Sequence, residues 1–166
     1  MRTVVCDAGP VIHLHETGLL HLLNTCGSIY VPALVHGEIL SNSNMGFVWP
    51  NWIEVVQLNY DDTQHANFLS RSGDLHGGES EAFVLCEKLK ADWFLTDDAA
   101  ARLFAATLGM EVHGSLGVVL WNVAHRNLDQ AQGLSALTAL AQSSLWLSTR
   151  TLADARAAII EICANL

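Results

Sequence analysis

Positive charge is scarce in this chain. Eight lysines and arginines stand against seventeen aspartates and glutamates, a formal charge of −9 over 166 residues. Non-specific affinity for nucleic acid is mostly electrostatic, so a broad phosphate-binding surface is excluded. An active site in which carboxylates hold a divalent cation is not. Cysteine pairs are also missing: Cys6, Cys26, Cys86 and Cys163 are scattered, with no C-x-x-C. Each is expected to be a small hydrophobe in a reducing cytoplasm. No apolar run approaches the roughly 20 residues of a membrane helix. The opening M-R-T-V-V-C-D turns acidic too early for a signal peptide. The chain contains no G-x-G-x-x-G, no G-x-x-x-x-G-K-[ST] and no G-x-S-x-G. Nucleotide-cofactor and serine-hydrolase chemistry therefore have no foothold.

What is abundant is hydrophobic residues, 51% of the chain, and only 15% are charged. That composition folds, and the length suits one domain spanning residues 1–166. Residues 3–7, T-V-V-C-D, read as a buried strand. Pro10 opens a helical stretch, and a second, L-L-H-L-L-N-T-C-G, stops at Gly27. S-I-Y-V-P is a strand that leads into the helix A-L-V-H-G-E-I-L. S-N-S-N-M-G-F-V-W-P-N (41–51) is the clearest loop, and W-I-E-V-V-Q-L an edge strand. A polar helix over 61–71 precedes G-G-E-S-E-A-F-V-L-C-E-K-L, whose Ala82, Phe83, Cys86 and Leu89 recur at helical spacing. D-W-F-L-T and M-E-V read as strands with a helix between them that Gly109 ends. Three helices follow, near 115–125, 130–142 and 151–164. Strands separated by helices imply a mostly parallel sheet covered on both faces. Ligands of such sheets sit beyond the carboxyl ends of the strands.

Two of the strand candidates run into carboxylates there: V-V-C-D at Asp7, and F-L-T-D-D at Asp97 and Asp98. Each of these could equally serve as a cap or turn residue. Glu38 follows Leu34 and Val35 by four and three positions, so it shares their helix face. Glu81 sits one position off an apolar stripe, whereas Glu79 is favoured where it stands by the helix dipole. Carboxylates gathered at one sheet edge repel unless a cation neutralises them. An oxygen-only set of this kind suits Mg2+ or Mn2+.

The order of these motifs, V-V-C-D-A-G-P, V-P-A-L-V-H-G-E-I-L, G-E-S-E-A-F-V-L-C and L-T-D-D-A-A-A-R, resembles that of PIN domains. Within them it is most similar to prokaryotic proteins related to VapC-type toxins. The resemblance implies a three-layer α/β/α sandwich and a metal-dependent single-strand endoribonuclease. Asp7, Glu38, Glu81 and Asp98 would be its catalytic and metal-binding acids, with Asp97 beside them. RNA is the implied substrate, and an antitoxin protein and a second copy of the chain are expected partners. The chain departs from the pattern with Glu81 where relatives commonly carry Asp, and with its strongly acidic charge. A second class is kept open: a PIN-like binding module with weak catalysis or none. An aspartyl-phosphatase reading fails because Gly9 stands where its second acid belongs. His13, His15 and His36 are expected at the surface or its boundary, and Ser115 as a helix cap. Arg102 is expected to pair with a neighbouring carboxylate or meet a phosphate, and the five tryptophans, too dispersed for a base-stacking platform, to supply core and interface mass.

Overall fold

The structure is a computed structural model that describes residues 1–42, 47–73 and 75–166. Its strands are β1 (Thr3–Cys6), β2 (Ser28–Pro32), β3 (Ile53–Val56), β4 (Trp93–Leu95) and β5 (Val112–His113). All pair in parallel, in the order β3-β2-β1-β4-β5. The helices are α1 (Ala8–Glu16), α2 (Ala33–Asn42), α3 (Tyr60–Ser72), α4 (Gly77–Leu89), α5 (Ala99–Thr107), α6 (Ser115–Ala124), α7 (Gln130–Gln142) and α8 (Thr149–Ala164). Alternate residues of β1 face opposite ways: Val4 and Cys6 enter one core, Val5 the other. The first core is closed by α1, α2, α6, α7 and α8, the second by α3, α4 and α5. This is the expected α/β/α sandwich with a sheet buried on both faces.

The chain lays β1, β2 and β3 outward in one direction and then returns to add β4 on the other side of β1. The helices that follow β1 and β4 therefore diverge, and a crevice opens between them at the carboxyl edge of the sheet. Both aspartate-ended strands deliver their acids into that crevice.

Several boundaries differ from the sequence reading. The first helix begins at Ala8, which leaves Pro10 in its first turn, where a missing N–H costs nothing. The second stretch is a 3₁₀ turn, Leu20–Thr25, rather than an α-helix. Thr17 ends α1 and β2 begins at Ser28, so the space between is too short for more than a tight turn that buries Leu22 and Leu23. Of the expected loop over 41–51, Ser41 and Asn42 continue α2, whereas Ser43, Asn44, Met45 and Gly46 lie outside the described residues. The C-terminal helices are core: α7 buries Ala136, Leu137 and Leu140, and α8 buries Ala155 and Ile159. Among the described residues no helix is long and apolar enough to cross a membrane.

Candidate functional site

Asp7 follows the last residue of β1, and its backbone N–H still reaches the Leu95 carbonyl at 2.9 Å. The ladder thus continues one step past the strand and fixes the side chain at the sheet edge. Asp7 is only 6% exposed. The hydroxyl of Thr96, itself fully buried, donates to Asp7 Oδ2 at 3.1 Å. Burial raises the Asp7 pKa to about 6; the charges of Glu79 and Glu38 add to the shift, and hydrogen bonds from the Ala8 amide and Thr96 oppose it.

From the next strand, Thr96 organises its successors as well. Its Oγ1 accepts from the Asp98 amide at 3.2 Å, so one hydroxyl links the two strand ends. Asp98 Oδ1 accepts from the Ala101 amide at 2.8 Å and caps α5. Asp97 is bound on both oxygens. Oδ1 accepts from the Ser115 amide at 2.7 Å, and Oδ2 from the Ser115 hydroxyl at 2.6 Å. His13 Nδ1 also lies 2.7 Å from Oδ2. Burial pushes the Asp97 carboxyl upward, but the bonds from His13 and Ser115 outweigh it and hold the group below its ordinary value. His13 lies at the boundary, as expected, but on the crevice side, because α1 starts directly after Asp7 and points its first turns inward. The expectation for Ser115 changes. Gly114 is the residue that precedes α6, and Ser115 binds Asp97 instead of capping.

Glu38 and α4 meet across a glycine. A Cβ at Gly78 would lie 2.4 Å from Glu38 Oε2 and 3.0 Å from its Cδ, so the carboxylate rests on the first turn of α4. Burial, and next to it the charge of Glu79, raise the Glu38 pKa. On α2 the buried stripe is Val35 and Ile39, whereas Leu34 is exposed. Glu79 Oε2 accepts from the His76 amide at 2.9 Å. Glu81 is two positions further along α4, which turns it roughly 160° away from Glu79. It accepts a hydrogen bond from the Leu34 amide in the first turn of α2; its pKa is raised by burial and by Glu38, against that bond.

These groups line a cavity of about 510 Å³, whose wall includes Asp7, Glu38, Glu79, Asp97, Asp98 and His13. The fold thus gathers four of the five expected acids, adds Glu79, and leaves Glu81 outside the cavity wall. The first-turn position of Glu79, read in the sequence as a dipole preference, is what aims it inward. No lysine or arginine is in the lining. Among the described residues no three His, Cys, Asp or Glu side chains stand close enough to hold a metal ion as placed. What matches a hard divalent cation is the chemistry of the donor set: oxygen ligands, with Asp7 and Glu38 raised by burial and by the neighbouring carboxylates.

None of the curated proteins matches the chain. The family model described as PIN domain matches residues 3–161, nearly its full length. With a parallel sheet in this order and acids at the ends of its two central strands, the chain belongs to the PIN-domain family.

Proposed function

We propose that this protein is a Mg2+- or Mn2+-dependent endoribonuclease acting on single-stranded RNA. PIN domains are in general nucleases that typically bind divalent metals. The observation that carries the reading is Asp7: a carboxylate buried at a strand end, facing Glu38 and Glu79, with no lysine or arginine among the described residues that line its cavity. Such a site is costly to keep empty and favourable to fill.

Asp7, Glu38, Glu79 and Asp98 would hold the ion, with Glu81 and Asp97 flanking them. When bound, a divalent cation supplies Lewis acidity toward a phosphoryl group and toward water. The chain's own residues set the geometry. Thr96 orients Asp7, and the cap to Ala101 orients Asp98. Asp97 locks His13 through Nδ1, so that with the proton on that atom Nε2 is the ring's remaining acceptor. Glu81 holds the first turn of α2, and through it the backbone that carries Glu38.

Manganese-dependent cleavage of single-stranded RNA, lost in EDTA and reduced at least about 100-fold in Asp7→Asn, is the expected result. Cleavage that persists in EDTA would sink the metal mechanism. The absence of a ready three-ligand group among the described residues favours a second reading, a PIN-like binding module. RNA bound without any cleavage would establish it. The order of the sequence motifs extends the first reading to a cytoplasmic toxin, dimeric and restrained by an antitoxin protein. Growth arrest on expression, absent with Asp7→Asn, tests that extension.

A further inference from the structure

The acid cavity does not end at Asp98. A second cavity of about 300 Å³ adjoins it and shares Asp97, Ala99, Leu145 and Trp146 with the first. Its far wall carries Arg102, Ser148 and Thr151. Trp146 belongs to both walls and is 84% exposed.

That exposure is built in. On one side of Trp146, the amide and hydroxyl of Ser144 both donate to Glu16 at 2.8 Å, and Leu145 is buried in the core. On the other, Leu147 packs against the same core, and Ser148 Oγ accepts from the Thr151 amide at 3.0 Å to start α8. The backbone is pinned before and after the indole, so a flat aromatic stands on a fixed base at the mouth of the acid site. Leu145 and Leu147 turn inward, so the indole is not part of a contiguous apolar patch of the kind that a protein interface needs.

Arg102 is the cation of this groove. Lys88 pairs with Asp62, Arg150 with Asp154, and Arg2 lies between the Trp93 and Trp121 rings. Arg102 is exposed on α5, one turn after Asp98, and among the described residues no carboxylate lies within ion-pair distance of it. A Cβ at Gly114 would stand 2.8 Å from its Nη1 and 2.4 Å from Asp97 Oδ1, so that glycine leaves the guanidinium its place beside the acids.

We propose that this groove is the substrate track: an unpaired base next to the scissile phosphate stacks on Trp146, and Arg102 takes the following phosphate. The inference rests on the nuclease reading and adds how a chain of charge −9 holds a polyanion. Stacking does not require positive charge, and a single guanidinium places a phosphate without a basic surface. Because a paired base already has neighbours on both faces, the track selects single strands.

The test uses a labelled ten-nucleotide RNA bound to cleavage-deficient Asp7→Asn protein, read by anisotropy, beside cleavage kinetics of otherwise wild-type protein. Adding Trp146→Ala should raise Kd about tenfold, and Trp146→Phe should keep it within about threefold. Arg102→Gln should weaken binding and lower the slope of log Kd against log salt by about 0.7. Duplex RNA should be insensitive to Trp146. RNA cleavage with KM and Kd unchanged in Trp146→Ala overturns the track and leaves the nuclease standing. Binding that depends on Trp146 without cleavage by the wild type supports the track and overturns the nuclease. No RNA binding by any form overturns both. If Trp146→Ala alters oligomeric state or protein capture but not RNA affinity, the indole is a protein contact and the track is wrong.

Discussion

Asp7 is a side chain that works against the fold it sits in. Its carboxyl binds a proton up to about pH 6 in the folded protein, against 3.8 ordinarily, so between those values the folded state holds more protons than the unfolded one. The stability tied to this group is complete below 3.8 and is lost as pH rises through 6, a loss on the order of 3 kcal/mol without metal. Asp7→Asn should therefore raise the melting temperature in EDTA at pH 7.5 by several degrees and change it little at pH 4. An unchanged or lower value at pH 7.5 would mean that burial of the charge is not what shifts the pKa. The same helix offers an internal comparison. Glu79→Gln should cost activity at least about tenfold. Glu81→Gln should cost less activity and should keep or slightly raise stability at pH 7.5, because burial and Glu38 disfavour the charge while the glutamine oxygen can still accept from the Leu34 amide.

Helix contacts decide how Glu38 is held. The first turn of α4 accommodates its carboxylate only because residue 78 has no Cβ. Gly78→Ala adds helix propensity and displaces only the end of a flexible side chain, so stability should stay within about 1 kcal/mol while activity falls steeply. Equal losses in both would show that the glycine serves packing alone. The elements themselves were largely readable from the chain. Short apolar runs marked β1 and β4, moderate alternation marked β3, and Asp7, Asp97 and Asp98 declared themselves by interrupting apolar runs at strand ends. Helical phase was less legible. Glu79 and Glu81 have similar neighbours, and which one enters the crevice depends on the start of α4 at Gly77, a boundary that periodicity does not resolve. The partnership of His13 with Asp97, 84 residues apart, left no local trace. Nor did the exposure of Trp146, which depends on the tether between Ser144 and Glu16.

At the scale of the molecule, the acids in the crevice act as one charge reservoir. Binding of Mn2+ to the folded state alone should raise the melting temperature in proportion to the logarithm of its concentration, and Asp7→Asn should abolish most of that rise. An equal rise in both would place the ion elsewhere. The sheet order has another consequence, in the time domain of synthesis. The central strand is made first, yet the hydroxyl that orients Asp7 comes 89 residues later, and the loop held by Glu16 comes 128 residues after its partner. A chain still on the ribosome with only its first half emerged has Asp7 and Glu38 but neither β4 nor the Trp146 loop. The nascent protein is therefore disarmed by topology: the site is assembled only when nearly all of the chain has emerged, and a prematurely terminated product carries the first acids without the site they help to form.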